Sequence, residues 1–203
     1  MDYNNVKAII FDVDGVIFKS FDLNGNYLWS HAIKEDLGLT PEHLSLIFSD
    51  KWQDLLKGKI KLLDHLEIVF NEKSFQSLHV SPKKYVKYWL NKDNYVNKEL
   101  LKIIKELTIP CYIGTNQEEI RTLHVINSIG SYFKSCFASY KIGSIKPEIE
   151  FFKYIENSLC LHANELLLID DSTGNIIGAK KCGWNTYHYK NIDEFKIMIT
   201  KME

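Results

Sequence analysis

Val6-Lys7-Ala8-Ile9-Ile10-Phe11-Asp12-Val13-Asp14-Gly15-Val16, near the start of a 203-residue chain, sets an apolar run directly against two aspartates. The run is rich in β-branched and aromatic residues, which suits a parallel strand covered on both faces. Residues 110–114, 135–139, 166–170 and 185–189 read the same way. Between these runs lie helical patterns. Leu100, Ile103, Ile104 and Leu107 fall on one stripe. Residues 117–129 carry Ile120, Leu123, Val125 and Ile126, with Gly130 as a stop. Pro147 suits the first position of a helix that turns Phe151, Phe152 and Ile155 inward. Ile176, Ile177 and Ala179 lead to a helix-ending Gly183, and residues 192–202 form a last helix. Strand alternating with helix predicts a doubly wound, Rossmann-like α/β layer with a parallel sheet.

Residues 16–94 break that rhythm. They contain almost no strand pattern, two cap-plus-proline helix starts at Thr40-Pro41 and Ser81-Pro82, and an amphipathic stripe of Leu62, Leu63, Leu66, Val69 and Phe70. A helical module of about 70 residues is expected there, inserted directly after the first strand. The division is residues 1–16 and 95–203 for the α/β core and 17–94 for the helical cap. Loops at the carboxyl ends of parallel strands are where such sheets bind ligands, so the module should sit over that edge.

Composition excludes several function classes. The chain is 45% hydrophobic and 25% charged, ordinary for a globular protein, and its net charge of −1 draws it toward neither nucleic acid nor an anionic membrane. The lysines of residues 57–61 are interrupted by Gly58 and Ile60 and read as a solvated helix face. The run 8–11 is too short for a signal core, and nothing approaches the roughly 18 consecutive apolar residues of a membrane span. Cys111, Cys136, Cys160 and Cys182 are isolated, which predicts buried reduced thiols and a cytoplasmic setting. No long heptad pattern appears, and a monomer or weak homodimer is expected.

The residues able to do chemistry gather at one predicted sheet edge. Asp12 and Asp14 flank one valine and, on an extended chain, point the same way; the plainer alternative is a strand end with an Asx turn at Asp14-Gly15. Asp170-Asp171-Ser172 ends another buried run, where Asp171 or Ser172 could cap the following helix, although capping needs only one of them. Four carboxylates at one edge would raise each other's pKa unless a cation neutralises them, and Mg²⁺ suits a site that must also hold phosphate oxygens and water. Thr115-Asn116 before a helix offers a hydroxyl and free amides as an anion seat, or an ordinary cap. Lys146, before Pro147, is of a type usually solvated.

In order, Asp12-Val13-Asp14-Gly15-Val16, Thr115-Asn116, Gly143-Ser144-Ile145-Lys146-Pro147-Glu148 and Asp170-Asp171-Ser172-Thr173-Gly174-Asn175 resemble the haloacid dehalogenase (HAD) superfamily. The match spans the α/β layer, and the insertion resembles the small helical cap of the phosphatase-like branch. The resemblance implies an Mg²⁺-dependent phosphatase acting on a small phosphorylated metabolite, such as a sugar phosphate, with no nucleic-acid or membrane partner. It implies Asp12 as nucleophile and Asp14 as general acid and base. The metal would be held by Asp12, the main-chain carbonyl of Asp14, and Asp171 with or without Asp170. Thr115 and amides near Asn116 would take phosphoryl oxygens, and Lys146 would orient Asp12. Asn175 would stand behind the metal ligands or on the helix surface. The presence of Asp14 favours phosphate chemistry over carbon–halogen cleavage. A phosphosugar mutase on this scaffold and a non-catalytic receiver-like phospho-acceptor are the alternatives. Trp29, His31, Lys51, Trp52 and Lys57 are conceivable substrate contacts from the cap, the tryptophans more plainly cap core.

Overall fold

A computed structural model describes residue 3 and residues 5–22 and 24–200. Five parallel strands, β1 (Ala8–Phe11), β2 (Cys111–Thr115), β3 (Cys136–Ala138), β4 (Leu166–Asp170) and β5 (Asn185–His188), lie in the order β3-β2-β1-β4-β5. The runs read from the sequence are therefore strands, trimmed by one or two residues where the chain turns. Alternate residues of the central strands feed two cores, because successive side chains of a strand leave opposite faces. Ile9, Phe11, Leu167 and Ile169 pack with α6 (Lys98–Glu106), α7 (Glu119–Ile129) and α11 (Ile192–Ile199). Ala8, Ile10, Leu166 and Leu168 pack with α9 (Ile149–Leu159) and α10 (Thr173–Lys181) on the other side. The sheet is doubly wound.

The register sets the site. Phe11 pairs with Ile113 and with Ile169, so the carboxyl ends of β1, β2 and β4 finish nearly level. Two helix expectations need correction. Pro147 does not open α9: the helix begins at Ile149 with Glu148 in extended conformation as its N-cap, and the Lys146–Pro147 peptide is cis. Gly130 does end α7, as its C-cap, and opens a 3₁₀ turn, Gly130–Tyr132. Leu123 and Ile177 face outward, at 49% and 48% exposed. The last two residues of the expected helix 192–202 lie outside the described residues.

The insertion is helical: α1 (Ile33–Leu37), α2 (Pro41–Ile47), α3 (Trp52–Leu56), α4 (Leu62–Phe70) and α5 (Pro82–Lys92), with 3₁₀ turns at Leu28–Ser30 and Lys73–Phe75. Pro41 and Pro82 open their helices as read, and the Ser81 hydroxyl accepts the Lys84 amide at 3.2 Å. Trp29, Ile47, Leu55, Leu66, Tyr85 and Trp89 belong to a separate hydrophobic cluster. Two linkers tie this module to the sheet: the Lys19 amide donates to the Tyr95 carbonyl (2.9 Å) and the Asn97 amide to the Ile17 carbonyl (2.8 Å). Residues 57–61 are a turn, not a helix face. Of the thiols, all free, Cys111 is buried and Cys160 is exposed. Among the described residues no helix is long and apolar enough to cross a membrane.

Gly178, in α10, touches the loop that carries Lys146: a Cβ there would lie 2.5 Å from Pro147 Cβ and 2.8 Å from its carbonyl oxygen. Replacing glycine in a helix by alanine ordinarily gains about 1 kcal/mol, whereas overpacking against backbone costs about 1–3 kcal/mol. The contact should win, so Gly178→Ala is expected to lower the urea midpoint. An unchanged or higher midpoint would contradict the close approach.

Candidate active site

Asp12 continues the ladder of β1. Its amide donates to the Ile169 carbonyl at 2.9 Å, which brings its side chain level with Asp170. Lys146 reaches both carboxylates: Nζ is 2.9 Å from Asp12 Oδ1 and 2.7 Å from Asp170 Oδ2. The lysine is 2% exposed, so its usual solvated role does not apply. Its backbone is held from the end of β2, where Asn116 donates Nδ2 to the Lys146 carbonyl (2.9 Å) and accepts the Lys146 amide at Oδ1 (2.8 Å). Asn175, buried in α10, donates to both oxygens of Asp170 at 3.0 Å. The Ser172 amide adds a third hydrogen bond to Asp170, at 2.9 Å, and Ser172 makes no side-chain cap, so capping does not explain the paired aspartates.

Asp12, Asp170 and Asp171 each offer an oxygen within 4.8 Å of the others. Burial pushes Asp12 well above the usual carboxylate range; Lys146 opposes the rise and Asp170 adds to it. Asp171 is pushed up to about 6, first by burial and then by the charge of Asp170. Burial works against the charge on Lys146, but Asp12 and Asp170 outweigh it and hold its pKa above the ordinary lysine value. One ammonium thus faces three carboxylates, and oxygen donors in this arrangement fit a hard divalent cation. Gly15 is required beside them: it has φ +78°, and a Cβ would come within 1.9 Å of Asp171 Oδ2. A hollow of about 690 Å³ lined by Gly15, Lys19, Ser20, Tyr95 and Tyr189 adjoins Asp171.

Asp14 departs from the expectation of four convergent carboxylates. The chain leaves the strand after Asp12 and coils so that the Val13 carbonyl accepts the amides of Ile17 (2.9 Å) and Phe18 (2.8 Å). The extended geometry that would aim Asp12 and Asp14 alike is lost. The Asp14 carboxylate instead accepts from the Ser20 hydroxyl (2.7 Å), from Gln117 Nε2 and from Arg121 Nη2 (3.2 Å).

Thr115 is buried at the end of β2, but α7 begins only at Glu119. The Glu118 carboxylate caps that helix by accepting the Ile120 amide at 2.7 Å and the Arg121 amide. An anion seat near Thr115 must therefore use amides of the intervening loop, because the helix start is already capped. On the module's side, Lys57 pairs with Glu148 at 2.5 Å, and Glu148 also accepts from the Ser144 hydroxyl at 2.7 Å. Trp29 and Trp52 pack in the cap cluster, His31 pairs with Asp22 and Lys51 is exposed.

Sequence reading missed Ser20, Gln117, Arg121 and Asp93. Arg121 carried a signal: it lies in phase with Val125 and Ile129, the buried stripe of α7, where an apolar residue belongs.

Two outcomes follow from the electrostatics. Lys146→Ala strands two buried carboxylates and should cost about 3–5 kcal/mol at neutral pH without divalent cations, measured by urea unfolding; a loss below about 1 kcal/mol would contradict the geometry. A carboxyl whose folded pKa is raised favours folding when protonated, and that contribution is lost as pH rises from the unfolded value near 4 toward the folded value. For Asp171, at about 6 when folded, metal-free stability should fall over that window, and Asp171→Asn should remove that part of the slope. Parallel stability–pH curves for the two proteins would refute it.

Residues 6–183 match the family described as haloacid dehalogenase-like hydrolase. A sesquiterpene phosphatase of Aspergillus oryzae is 23% identical over 184 residues, 90% of this chain and 89% of that protein. A phosphoglycolate phosphatase of Neisseria gonorrhoeae is 25% identical over 193 residues, 88% of this chain and 78% of that one. Among solved structures, a HAD family enzyme from Bacteroides thetaiotaomicron in complex with magnesium and inorganic phosphate superposes with a TM-score of 0.74 at 22% identity, covering 91% and 94% of the two chains. The strand order, the three aspartates gathered at one sheet edge and a family match over most of its length agree: this chain belongs to the haloacid dehalogenase-like hydrolase family.

Proposed function

We propose that the protein is an Mg²⁺-dependent phosphatase that cleaves a small phosphomonoester through an aspartyl-phosphate on Asp12. The observation that carries this reading is the convergence of Asp12, Asp170 and Asp171 within 4.8 Å, with Lys146 bonded to the first two. The phosphatase relatives support it, as does the fold neighbour crystallised with magnesium and inorganic phosphate.

In this reading an Asp12 oxygen attacks phosphorus in line and the P–O bond to the alcohol breaks. Asp14 gives its proton to the departing oxygen. It then takes a proton from the water that attacks the aspartyl-phosphate, releasing inorganic phosphate and restoring Asp12. Lys146 fixes the attacking carboxylate and offsets charge near it. Thr115 and loop amides around Asn116 bind the phosphoryl oxygens. Mg²⁺ held by Asp12, Asp171 and the Asp14 carbonyl, with Asp170 behind or among them, would supply the positive charge that lets an anionic nucleophile approach an anionic phosphate.

Residues 17–94 act as the cap in this account, over a core of 1–16 and 95–203. The pairing of Lys57 with Glu148 and the approach of Gly58 to the Tyr140 carbonyl, 2.2 Å from a would-be Cβ, support a seated position. The free thiols fit a cytoplasmic setting.

Asp12→Asn keeps an acceptor for Lys146 and should fold, while turnover falls by about a thousandfold or more. A panel of phosphorylated metabolites assayed with Mg²⁺ and with a chelator checks this through phosphate release and circular dichroism. Substantial turnover by the variant would sink the nucleophile assignment.

A further inference from the structure

Among the described residues, Arg121 is the most buried large charged group outside the metal-side cluster, at 1% exposed. A guanidinium in that position is costly unless its partners are fixed. Two carboxylates from different parts of the chain meet its Nη2: Asp93 Oδ2 at 2.6 Å and Asp14 Oδ1 at 3.2 Å. The guanidinium lies over the Phe18 ring, 5.0 Å from Cζ to the centroid. Asp93 alone would satisfy a structural ion pair, so the second carboxylate requires its own reason.

Asp93 is the C-cap of α5 and is 4% exposed. It stands just before the paired linkers, where Phe18 bridges Val96 and Lys19 bonds Tyr95. A rotation of the helical module about those linkers carries Asp93 with α5 and leaves Arg121 on α7. The pairing of Asp93 with Arg121 thus joins the end of the module's last helix to the α/β layer.

We propose that Arg121 is the positioning residue for Asp14, and that Asp93 holds Arg121 in place, so that seating of the cap completes the clamp on the acid–base carboxylate. The inference rests on the reading of Asp14 as general acid and base. Gln117 and Ser20 supply the other two donors to Asp14, Ser20 from the first residues of the module itself, and Arg121 is the donor that a second carboxylate, Asp93, also holds.

Leaving-group dependence tests this. An alkyl phosphomonoester needs a proton on its departing oxygen, whereas p-nitrophenyl phosphate releases a stable phenolate without one. First-turnover alcohol release is measured with both esters, so that hydrolysis of the intermediate does not obscure the first step. In the double variant Arg121→Gln/Asp93→Asn, which leaves no unpaired buried charge between the pair, alkyl release should fall about a hundredfold and nitrophenolate release less than about threefold. Asp93→Asn alone, a milder change should the double variant fail to fold, should show about a tenfold loss with the same selectivity. Equal losses on both esters, or no loss on either, would overturn the role of Arg121. If the unmodified protein cleaves neither ester, the phosphatase reading falls and takes this proposal with it; if it cleaves both and the variants lose them equally, only the positioning role falls.

Discussion

The site depends on one buried ammonium. Lys146 sits between Asp12 and Asp170 where water cannot screen any of the three, and its charge allows two carboxylates to end neighbouring strands of a dry sheet. Much of the local structure serves to keep it there. Asn116 grips its main chain from β2, Gly178 lets α10 approach Pro147, and Asn175 fixes Asp170 from the same helix. A single lysine cannot neutralise Asp171 as well, and burial first, then the charge of Asp170, raises the pKa values of Asp12 and Asp171. The excess of negative charge is what gives the place affinity for a divalent cation.

A second buried cation answers for the other aspartate. Asp12 and Asp14 are two residues apart, yet the turn after Asp12 sends one to Lys146 and the other toward Arg121. Separate environments allow two carboxylates so close in sequence to take different roles. The cationic partners also come from different places. Lys146 is held within the α/β layer, whereas Arg121 is shared with Asp93 at the end of the last cap helix. The geometry of Asp12 is therefore built into the sheet, and that of Asp14 is tied to the inserted module.

The strands and the Asp12 and Asp170-Asp171 positions were legible because each is a local pattern, an apolar run that ends abruptly in charge. Lys146, by contrast, follows Gly143-Ser144-Ile145 and was legible only through the family resemblance. The helical insertion was legible from its helix starts and the stripe of Leu62, Leu66 and Val69. The clamp on Asp14 was not, since Arg121 lies 107 positions away and meets it only through the packing of α7 beside the first loop. Extended-chain reasoning also failed at Asp14, because the Val13 carbonyl draws three following amides into a coil that no periodicity announces. Pro147 misled for a related reason: Glu148 caps α9 while holding Ser144 and Ile145, so the helix starts two residues later than proline preference suggests.

Acid quenching during turnover of a slow phosphomonoester in the presence of Mg²⁺, followed by mass spectrometry of the peptide spanning the first loop, tests the central claim most directly. The account predicts a phosphoryl group on Asp12, formed and lost at rates that match turnover. Phosphate release with that peptide unmodified at every quench time, or a phosphoryl group on a different side chain, would contradict it.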